Sequence, residues 1–343
     1  MSDRVETDAV IIGAGPVGLF AIFELGLLGY SSHIIDIRTK PGGQCAELYP
    51  EKPIYDIPAL PKVTGQELTD RLIEQAQPFE PVFHFSQMVQ AMEKLPDGRF
   101  LVTTDADLEV VAKVVVIAAG GGSFLPKRPP IDNIEAYEGK SVFYAVRRME
   151  EFRDHNVVIV GGGDSALDWT LSLEPVASRV TLIHRRPEFR AAPDSVAKLQ
   201  ELIAAGKVDF ILGQVEDLVG KDGELSAIHV KKKEDGAVVE LACERMLPFF
   251  GLTVKLGPIA DWGLNLNEER LPVDTSDFST SEPGIFAIGD IVTYPGKVKL
   301  ILSGFHEAAL MAHGVFKHIN PETRLVHQHT TSSSSLQKRL GVS

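Results

Sequence analysis

A run of apolar residues near the start of the chain leads directly into the motif Gly-x-Gly-x-x-Gly, and this stretch limits the fold more than any other. Residues 10–20 read Val-Ile-Ile-Gly-Ala-Gly-Pro-Val-Gly-Leu-Phe, which predicts a buried strand, a tight turn and a helix. Gly13 permits the turn, Gly15 allows the backbone to approach a pyrophosphate, and Gly18 allows the helix to pack on the strand. The N–H groups at the start of the helix would then face the phosphates.

An acidic residue follows at the distance that dinucleotide binding requires. The next apolar run ends at Asp36, where a carboxylate can hold the two hydroxyls of an adenosine ribose. The glycine motif alone is a weak signal, because an ordinary glycine-rich turn has the same letters. The strand, the turn, the helix and the acid together predict a dinucleotide-binding unit.

The composition narrows the class of protein. A chain of 343 residues with 44% apolar content is long enough for about two domains. Its two cysteines, Cys45 and Cys243, lack Cys-x-x-Cys spacing, which suits a reducing compartment and argues against a disulfide or zinc framework. We find neither a secretion signal nor an apolar run long enough for a membrane, and we expect a cytoplasmic protein without a metal. The net charge of −13 counts against general nucleic-acid binding.

A second strand, turn and helix are predicted near the middle of the chain. Residues 157–166 read Val-Val-Ile-Val-Gly-Gly-Gly-Asp-Ser-Ala, so that Gly161, Gly163 and Ala166 form the pattern Gly-x-Gly-x-x-Ala. The stretch Gly120-Gly121-Gly122 breaks the chain before this motif, and we take it as the crossing into a second domain.

The strand after the second motif ends in basic residues instead of an acid. His184, Arg185 and Arg186 stand where the first unit has Asp36, and Arg190 follows shortly after. Guanidinium groups bind a 2′-phosphate through charge-assisted, often bidentate hydrogen bonds, whereas an acid would repel it. An exposed basic turn is the alternative interpretation. The cluster predicts NADP over NAD, and two units with opposite ribose chemistry suggest a flavin paired with a nicotinamide.

The remaining predictions concern single elements. They are an irregular proline-rich loop over residues 38–58, a helix that begins at the capping box 64–67, strands at 100–102 and 114–118, turns at 221–223 and 234–236, a strand that ends at Gly289-Asp290, and a helix from about 304 to 318. The stretch 327–335 has low complexity, and its composition predicts disorder.

Taken together, these motifs resemble those of the thioredoxin-reductase-like flavoproteins over nearly the whole chain. The matching segments, in order, are Gly13–Gly18, Gly43-Gln44, Gly161–Ala166, His184-Arg185-Arg186 with Phe189-Arg190, and Gly289-Asp290. The resemblance implies an α/β fold with two Rossmann-like nucleotide-binding domains of the ββα type. It implies an FAD-binding domain at 1–120 and 251–326, an inserted NADPH-binding domain at 121–250, and a C-terminal extension at 327–343.

One departure points to a particular branch of this family. Thioredoxin reductases carry a Cys-x-x-Cys just before the second glycine motif, but residues 141–149 contain no cysteine. Without a dithiol, electrons cannot pass from flavin to a protein disulfide by the usual exchange. The loop 48–52 and the tail segment 329–332 instead resemble the ferredoxin/flavodoxin–NADP(+) reductases of the thioredoxin-reductase type.

The resemblance also implies roles for individual residues around FAD. Asp36 would bind the adenosine ribose, Gln44 would contact the FAD, and Asp290 would bind its ribityl chain. Val89 and Phe124 match backbone or packing contacts to the same cofactor.

Two ring-bearing residues, Tyr49 and His329, are the implied catalytic residues. Tyr49 would stack on one face of the isoalloxazine and His329 on the other, with Thr330 nearby. In this family the tail crosses to the other subunit of a homodimer, so His329 would complete the flavin site of the second subunit. Composition alone favours a packed loop aromatic at Tyr49 and a disordered polar tail.

The implied activity is electron transfer between NADPH and a one-electron carrier, ferredoxin or flavodoxin, with hydride passing to N5 of FAD. Docking an acidic ferredoxin would need a local basic patch, for which the candidates are Arg38, Lys40, Arg147, Arg148 and Lys338. The alternatives are an NADPH-dependent flavoprotein that reduces a disulfide protein or a quinone, and a non-enzymatic NADP-binding regulator. A flavin monooxygenase is disfavoured, because the chain lacks the Phe-x-Gly-x-x-x-His signature.

Overall fold

A computed structural model of the chain describes residues 4–325 and 329–342, and the chain divides into two compact units. The first unit comprises residues 1–124 and 254–343, and the second comprises residues 125–253. The second unit is therefore an insertion in the sequence of the first. In the described parts of the chain, no helix is long and apolar enough to cross a membrane.

The helices and strands are distributed over three stretches of the chain. The first stretch contains β1 (Arg4–Ile12), α1 (Pro16–Leu27), β2 (Ser32–Asp36), α2 (Gly43–Leu48), β3 (Pro53–Ile54), β4 (Val63–Thr64), α3 (Gly65–Ala76), β5 (Val82–Phe85), β6 (Val89–Lys94), β7 (Phe100–Thr104), β8 (Glu109–Ile117) and β9 (Ser123–Pro126). The middle stretch contains β10 (Asn156–Val160), α4 (Asp164–Leu173), β11 (Arg179–His184), α5 (Pro193–Ala204), β12 (Val208–Lys221), β13 (Glu224–Lys232), β14 (Val238–Ala242) and β15 (Arg245–Pro248). The last stretch contains β16 (Leu252–Lys255), β17 (Leu271–Pro272), β18 (Ile285–Ala287), β19 (Val292–Thr293), α6 (Ile301–Ile319) and α7 (Ser334–Arg339).

The first unit is built on a sheet of seven strands. Its order is β5-β2-β1-β8-β7-β6, and β18 pairs with β8 as well. The strands β5, β2, β1, β8 and β18 run parallel, and the β-branched, apolar run of the central strand β8 suits burial on both faces of the sheet. Ile12 pairs with Ile35 on one side and with Ile117 on the other, so the strands end together. The turns after these strands therefore meet at one edge.

Two helices of the first unit pack closely because a glycine lies at their crossing. A β-carbon on Gly304 of α6 would collide with the side chain of Val17 on α1. Along the same helices, Leu19 and Ile22 pack with Met311 in one buried cluster. The starts of α1 and α6 are thus held next to each other above the sheet edge. A third helix, α3, begins at the predicted capping box, whose two hydrogen bonds are both present.

The second unit repeats this plan with six strands in the order β14-β13-β12-β11-β10-β15. The strands β12, β11, β10 and β15 run parallel, and Val160 pairs with Ile183 and Pro248 at their common end. The hairpins β12–β13 and β13–β14 turn where the sequence predicts. Strands predicted at 100–102 and 114–118 lie within β7 and β8, and the helix predicted from about 304 lies within α6.

Two segments are more ordered than their composition suggests. The proline-rich loop contains the short helix α2, which buries Cys45 and Ala46. The tail forms α7, because Leu336 is buried in the core of the first unit and Arg339 Nη1 donates to the carbonyl oxygen of Pro78 at 3.2 Å. The prediction of disorder is therefore wrong for residues 329–335, while 327 and 328 lie outside the described residues.

The crossing of α1 and α6 gives a testable prediction. The substitution Gly304→Ala should destabilise the protein by about 1–3 kcal/mol, because the added methyl group overpacks the contact with Val17. In a Val17→Ala background the same substitution should be neutral or stabilising, since alanine favours a helix over glycine by about 1 kcal/mol. Urea unfolding of the four proteins measures both effects. Equal destabilisation in the two backgrounds would show that Val17 is not what restricts residue 304.

Candidate functional site

A cleft in the first unit lies at the edge where its parallel strands end. The predicted residues that line it are Gly13, Gly15, Asp36, Gln44, Tyr49, Val89, Phe124 and Asp290. They come from segments that are far apart in sequence, and the parallel pairing of the strands brings them together. In sheets of this kind, ligands bind beyond the carboxyl ends of the strands.

The glycine turn of this cleft is tight on one side and open on the other. Gly13 has φ +107°, and a β-carbon there would lie 2.5 Å from the carbonyl oxygen of Ala118. A β-carbon on Gly18 would collide with the backbone of Gly13, so the helix needs a glycine to pack on the turn. Gly15 faces open space, with no atom within 4 Å of a β-carbon placed on it. That space suits a pyrophosphate above the first N–H groups of α1.

The carboxylate of Asp36 is fixed against the same turn. Its Oδ2 accepts a hydrogen bond from the Ala14 N–H at 2.7 Å, and its Oδ1 accepts one from the Arg38 N–H at 2.8 Å. Each carboxylate oxygen can accept a further hydrogen bond. Asp36 is therefore held in place and keeps the capacity to accept from the hydroxyls of a ribose.

Arg38 is part of the cleft wall, although its charge makes it a candidate for a docking surface in the sequence. Its guanidinium lies over the ring of Phe124, 4.1 Å from the centroid, and Nη2 donates to the Phe124 carbonyl oxygen at 3.4 Å. Nη1 also lies 3.8 Å from the carboxylate of Glu47. These contacts assign Arg38 to the cleft and not to an exposed basic patch.

The side chains of Cys45 and Tyr49 form a pair in the cleft. The Cys45 Sγ lies 3.5 Å from the Tyr49 Oη, within hydrogen-bonding distance for sulfur. Burial raises the pKa of the Tyr49 phenol well above its ordinary value, and it also raises the pKa of the Cys45 thiol. Both groups are therefore neutral at neutral pH. Tyr49 offers a flat, uncharged ring, and Cys45 is a protonated thiol with poor nucleophilicity.

Two further parts of the cleft come from the end of the chain. Gly289 and Asp290 lie in a 3₁₀ turn directly after β18, and Leu300 and Ile301 at the start of α6 also line the cleft. The side chain of Leu300 at the N-cap position cannot accept a hydrogen bond, so the first N–H groups of α6 are not capped by it. The positive end of a second helix thus points to this cleft.

Glu307 is a buried residue that the sequence analysis missed. It lies on the core face of α6 and accepts a hydrogen bond from the Gly289 N–H at 2.6 Å. An acidic residue on the apolar face of a predicted helix is the signal that could have identified it.

The tail residues His329 and Thr330 are not brought to the cleft of their own chain. Both are exposed, and neither is among the described residues that line the cleft. A 3₁₀ turn over residues 330–332 leads from them into α7, whose Leu336 is anchored in the core. Their predicted role at a flavin therefore stays a prediction about a second copy of the chain.

A second cleft, with a volume of about 720 Å³, lies at the corresponding edge of the second unit. The predicted residues that line it are Gly161, Gly163, His184, Arg185, Arg186 and Arg190, while Ala166 is buried behind the turn. A β-carbon on Gly163 would lie 3.7 Å from the carbonyl oxygen of Arg190, so this turn, unlike that of Gly15, is in contact with the loop after β11. The volume is that of an ordinary small-molecule site.

The basic residues of this cleft divide into two kinds. His184 is half-buried, lies against Gly162 and stacks on Phe189 with ring centroids 5.6 Å apart. Burial lowers the pKa of His184, so the imidazole is neutral at neutral pH and supports the turn by packing. The guanidinium groups of Arg185 and Arg186 are exposed at the cleft. The positive charge available to a phosphate therefore comes from the arginines.

Arg190 is tied to the glycine turn through the backbone. Its N–H donates to the Gly162 carbonyl oxygen at 2.7 Å, and the Ala192 N–H donates to the Asp164 carboxylate at 2.8 Å. The loop after β11 is thus fastened over the start of α4. Asp164 was not predicted as a site residue, although an acid in the first turn of a helix often accepts hydrogen bonds from nearby N–H groups.

Within residues 4–325 and 329–342, no three or more His, Cys, Asp or Glu side chains are grouped so that they could hold a metal ion. The chemistry that these clefts can support by themselves is the binding of anionic nucleotides. One cleft presents a carboxylate to a ribose, and the other presents guanidinium groups to a phosphate.

The chain is similar in sequence to known proteins over its full length. The family model for pyridine nucleotide-disulphide oxidoreductases matches residues 7–312. A protein from a Bradyrhizobium species named ferredoxin–NADP reductase is 65% identical over the full length of both chains. A protein of the same name from Parvibaculum lavamentivorans is 64% identical over 99% of each chain.

The fold of the chain is similar to the folds of solved structures. The thioredoxin reductase of Lactococcus lactis, in its FR conformation, is 25% identical and has a TM-score of 0.75, over 92% of this chain and 99% of that one. The thioredoxin reductase of T. acidophilum, at 24% identity and a TM-score of 0.76 over 93% of this chain and 99% of that one, shares the fold. The predicted α/β fold with two nucleotide-binding domains and the predicted family resemblance are confirmed. The chain belongs to the pyridine nucleotide-disulphide oxidoreductase family.

Proposed function

We propose that the chain is an NADPH-dependent flavoprotein that transfers electrons between NADPH and a ferredoxin or flavodoxin. The observation that carries this proposal is the pair of clefts built on glycine turns at sheet edges, one with a carboxylate and the other with guanidinium groups where a ribose would lie. Full-length relatives named ferredoxin–NADP reductase support the choice of acceptor. A reducing cytoplasmic location suits the two free, buried cysteines.

The residues of the first cleft fit FAD. The open space at Gly15 can receive the pyrophosphate, and Asp36 can accept from the adenosine ribose. Asp290 would bind the ribityl chain, and the neutral ring of Tyr49 would cover one face of the isoalloxazine. When bound, the flavin supplies the exchange between a two-electron hydride donor and a one-electron acceptor.

Gln44, Val89 and Phe124 complete the wall against FAD in this proposal. Arg38, stacked on Phe124, would hold that ring in position beside the cofactor. These residues bind and orient, and none of them needs to exchange a proton. The corresponding domains would be an FAD-binding domain formed by 1–120 and 251–326 and an NADPH-binding domain at 121–250.

The residues of the second cleft fit NADPH. The pyrophosphate would lie over Gly163 and the first turn of α4, since Gly163 lines the cleft and carries no side chain over the helix N–H groups. Arg185, Arg186 and Arg190 would surround the 2′-phosphate, and bidentate guanidinium–phosphate hydrogen bonds favour NADPH over NADH.

The positions of the two cysteines help to distinguish between the possible electron acceptors. The sequence has two cysteines, and they lie in different units, so the thiol of Cys45 has no second cysteine in its own unit. A disulfide acceptor of the thioredoxin kind would need a dithiol to relay electrons, which disfavours an acceptor of that kind. The alternative enzyme is an NADPH-dependent flavoprotein that reduces a quinone. The alternative of a different class is an NADP-binding regulator without a flavin.

We also propose a homodimer in which the C-terminal extension 327–343 of one chain reaches the first cleft of the other. The exposure of His329 and Thr330, outside the cleft of their own chain, supports this arrangement. His329 would then cover the second face of the isoalloxazine. Because this ring would stand where the nicotinamide must approach, the tail would move during turnover.

The purified protein should carry FAD. We expect a yellow protein whose released cofactor runs as FAD on chromatography, at one equivalent per chain. A colourless protein that binds NADP but no flavin would contradict the proposal and favour a regulator.

The arginines of the second cleft should set the choice of coenzyme. We expect Arg185→Ala with Arg186→Ala to raise KM for NADPH by about tenfold or more and to leave KM for NADH nearly unchanged, because a charge-assisted hydrogen bond contributes about 1.5–3 kcal/mol. Steady-state kinetics with both coenzymes measures this. The matched control is Arg153→Ala in the same unit, whose guanidinium pairs with Glu150 on the surface. Equal losses for the two coenzymes would remove the argument for the 2′-phosphate.

The tail should influence the flavin without holding it. The substitution His329→Ala should leave FAD bound but shift its visible absorption spectrum, because a ring that stacks on the isoalloxazine changes its surroundings. Lys338→Ala, on the exposed part of α7, is the matched control. A spectrum and a hydride-transfer rate equal to those of the parent would show that the His329 ring does not act at the flavin.

A further inference from the structure

A charged pair is buried directly behind the Gly289-Asp290 turn of the first cleft. The Glu307 side chain is fully buried, and only 6% of the Lys297 side chain is exposed. The Lys297 ammonium and the Glu307 carboxylate form a close ion pair. Removing two charges from water is expensive, and their attraction offsets that cost only when further hydrogen bonds satisfy them.

The Glu307 carboxylate has those further hydrogen bonds. Its Oε2 accepts from the Gly289 N–H at 2.6 Å, and its Oε1 accepts from the Tyr294 phenol at 2.8 Å as well as from Lys297. Burial and the neighbouring carboxylate raise the pKa of Tyr294 to about 12, so the phenol remains a donor at neutral pH. Donors from three positions of one segment thus converge on a single side chain of α6.

These donors lie on the segment that forms one wall of the cleft. Gly289 immediately precedes Asp290, and Lys297 is followed by Lys299 and Leu300, which line the cleft. Gly289 has φ +83°, a left-handed conformation that turns the chain out of β18. Glu307 therefore fastens both ends of the segment 289–297 to α6, which begins a few residues later. The helix itself is positioned by its close packing at Gly304.

Stability alone does not account for this pair. Replacing a buried ion pair by apolar residues of similar volume is often neutral or stabilising. An apolar pair would fill the same space, but it would not hold the Gly289 N–H in a fixed direction. The carboxylate supplies directional acceptors at the one turn that carries Asp290.

We propose that Glu307 is a positioning residue for the cofactor, which holds Asp290 and the segment 297–300 in their binding geometry before FAD arrives. The inference rests on the proposed binding of FAD in the first cleft. The Lys297 ammonium compensates the negative charge of the Glu307 carboxylate in the protein interior. Binding FAD loses less conformational entropy when the turn is already ordered than when the ligand must order it. The Glu307 carboxylate should therefore raise the affinity for FAD.

Two double variants separate this role from core filling. E307Q/K297M and E307L/K297M both remove both charges, but only the glutamine keeps an oxygen that can accept from the Gly289 N–H. Each apoprotein is titrated with FAD by quenching of flavin fluorescence. We expect the leucine variant to bind FAD about tenfold more weakly than the parent, with altered visible circular dichroism of the bound flavin. The glutamine variant should recover most of the affinity and the parent spectrum.

Thermal unfolding of the apoproteins and NADP binding by the second unit are the controls for folding. Equal FAD affinity and equal circular dichroism in the two variants would overturn the inference and leave Glu307 as a core residue. Failure of the parent chain to bind FAD would instead contradict the proposed function, which requires that cofactor. This result is distinct from a failure of the inference, which appears only as equal behaviour of the two variants.

A double-mutant cycle decides the question if the leucine variant does not fold. E307M/K297M, whose unbranched methionine has nearly the shape of glutamate but no acceptor for the Gly289 N–H, and Asp290→Asn are compared separately and together for FAD affinity. If Glu307 acts through Asp290, the combined loss is clearly smaller than the product of the two single losses. Losses that multiply would show that the two residues act independently and would overturn the inference.

Discussion

The unsatisfied N–H groups at the start of a helix, placed at the edge of a parallel sheet, are the feature on which both clefts depend. Parallel pairing ends the strands together, at Ile12, Ile35 and Ile117 in the first unit. The glycine turn then leads each chain into its helix without a side chain over the N–H groups, because positions 15 and 163 are glycines, and Gly15 faces open space. A phosphate can approach only because that space is empty and the helix end is positive.

The residues at the end of the second strand of each unit give the two clefts opposite chemistry. Asp36 is fixed by two backbone N–H groups, whereas Arg185 and Arg186 project from the end of β11. One architecture used twice can therefore hold two different dinucleotides. The proposed electron transfer needs this difference, since a hydride donor and a flavin must occupy separate sites.

The parts of the fold that could be predicted are those with a local cause. Glycine turns, the capping box at Thr64 and the hairpin turns result from short-range backbone chemistry. The helices α2 and α7 could not be predicted, because their own sequences are poor in helix signals and burial of Cys45 and Leu336 stabilises them. Composition reflects only the local sequence of a segment, whereas tertiary packing determines whether α2 and α7 form.

The same division applies to the candidate sites. The residues at strand ends and glycine turns were identified from spacing, but Glu307 acts from the core side of α6, where its partners come from another segment. In the sequence, Arg38 was a candidate for an exposed basic patch. Its stacking on Phe124 could not be predicted, because the two residues are far apart in the chain. The packing role of His184 likewise depends on Phe189 and on the glycine turn of the neighbouring strand.

NADPH-dependent reduction of cytochrome c by the purified protein, titrated with ferredoxin, tests the central proposal most directly. We expect a rate that rises with ferredoxin, saturates, and falls as salt is added, because docking to an acidic carrier depends on screened charges. A rapid rate that does not change with ferredoxin would contradict the proposal and leave an NADPH-oxidising flavoprotein with a different acceptor.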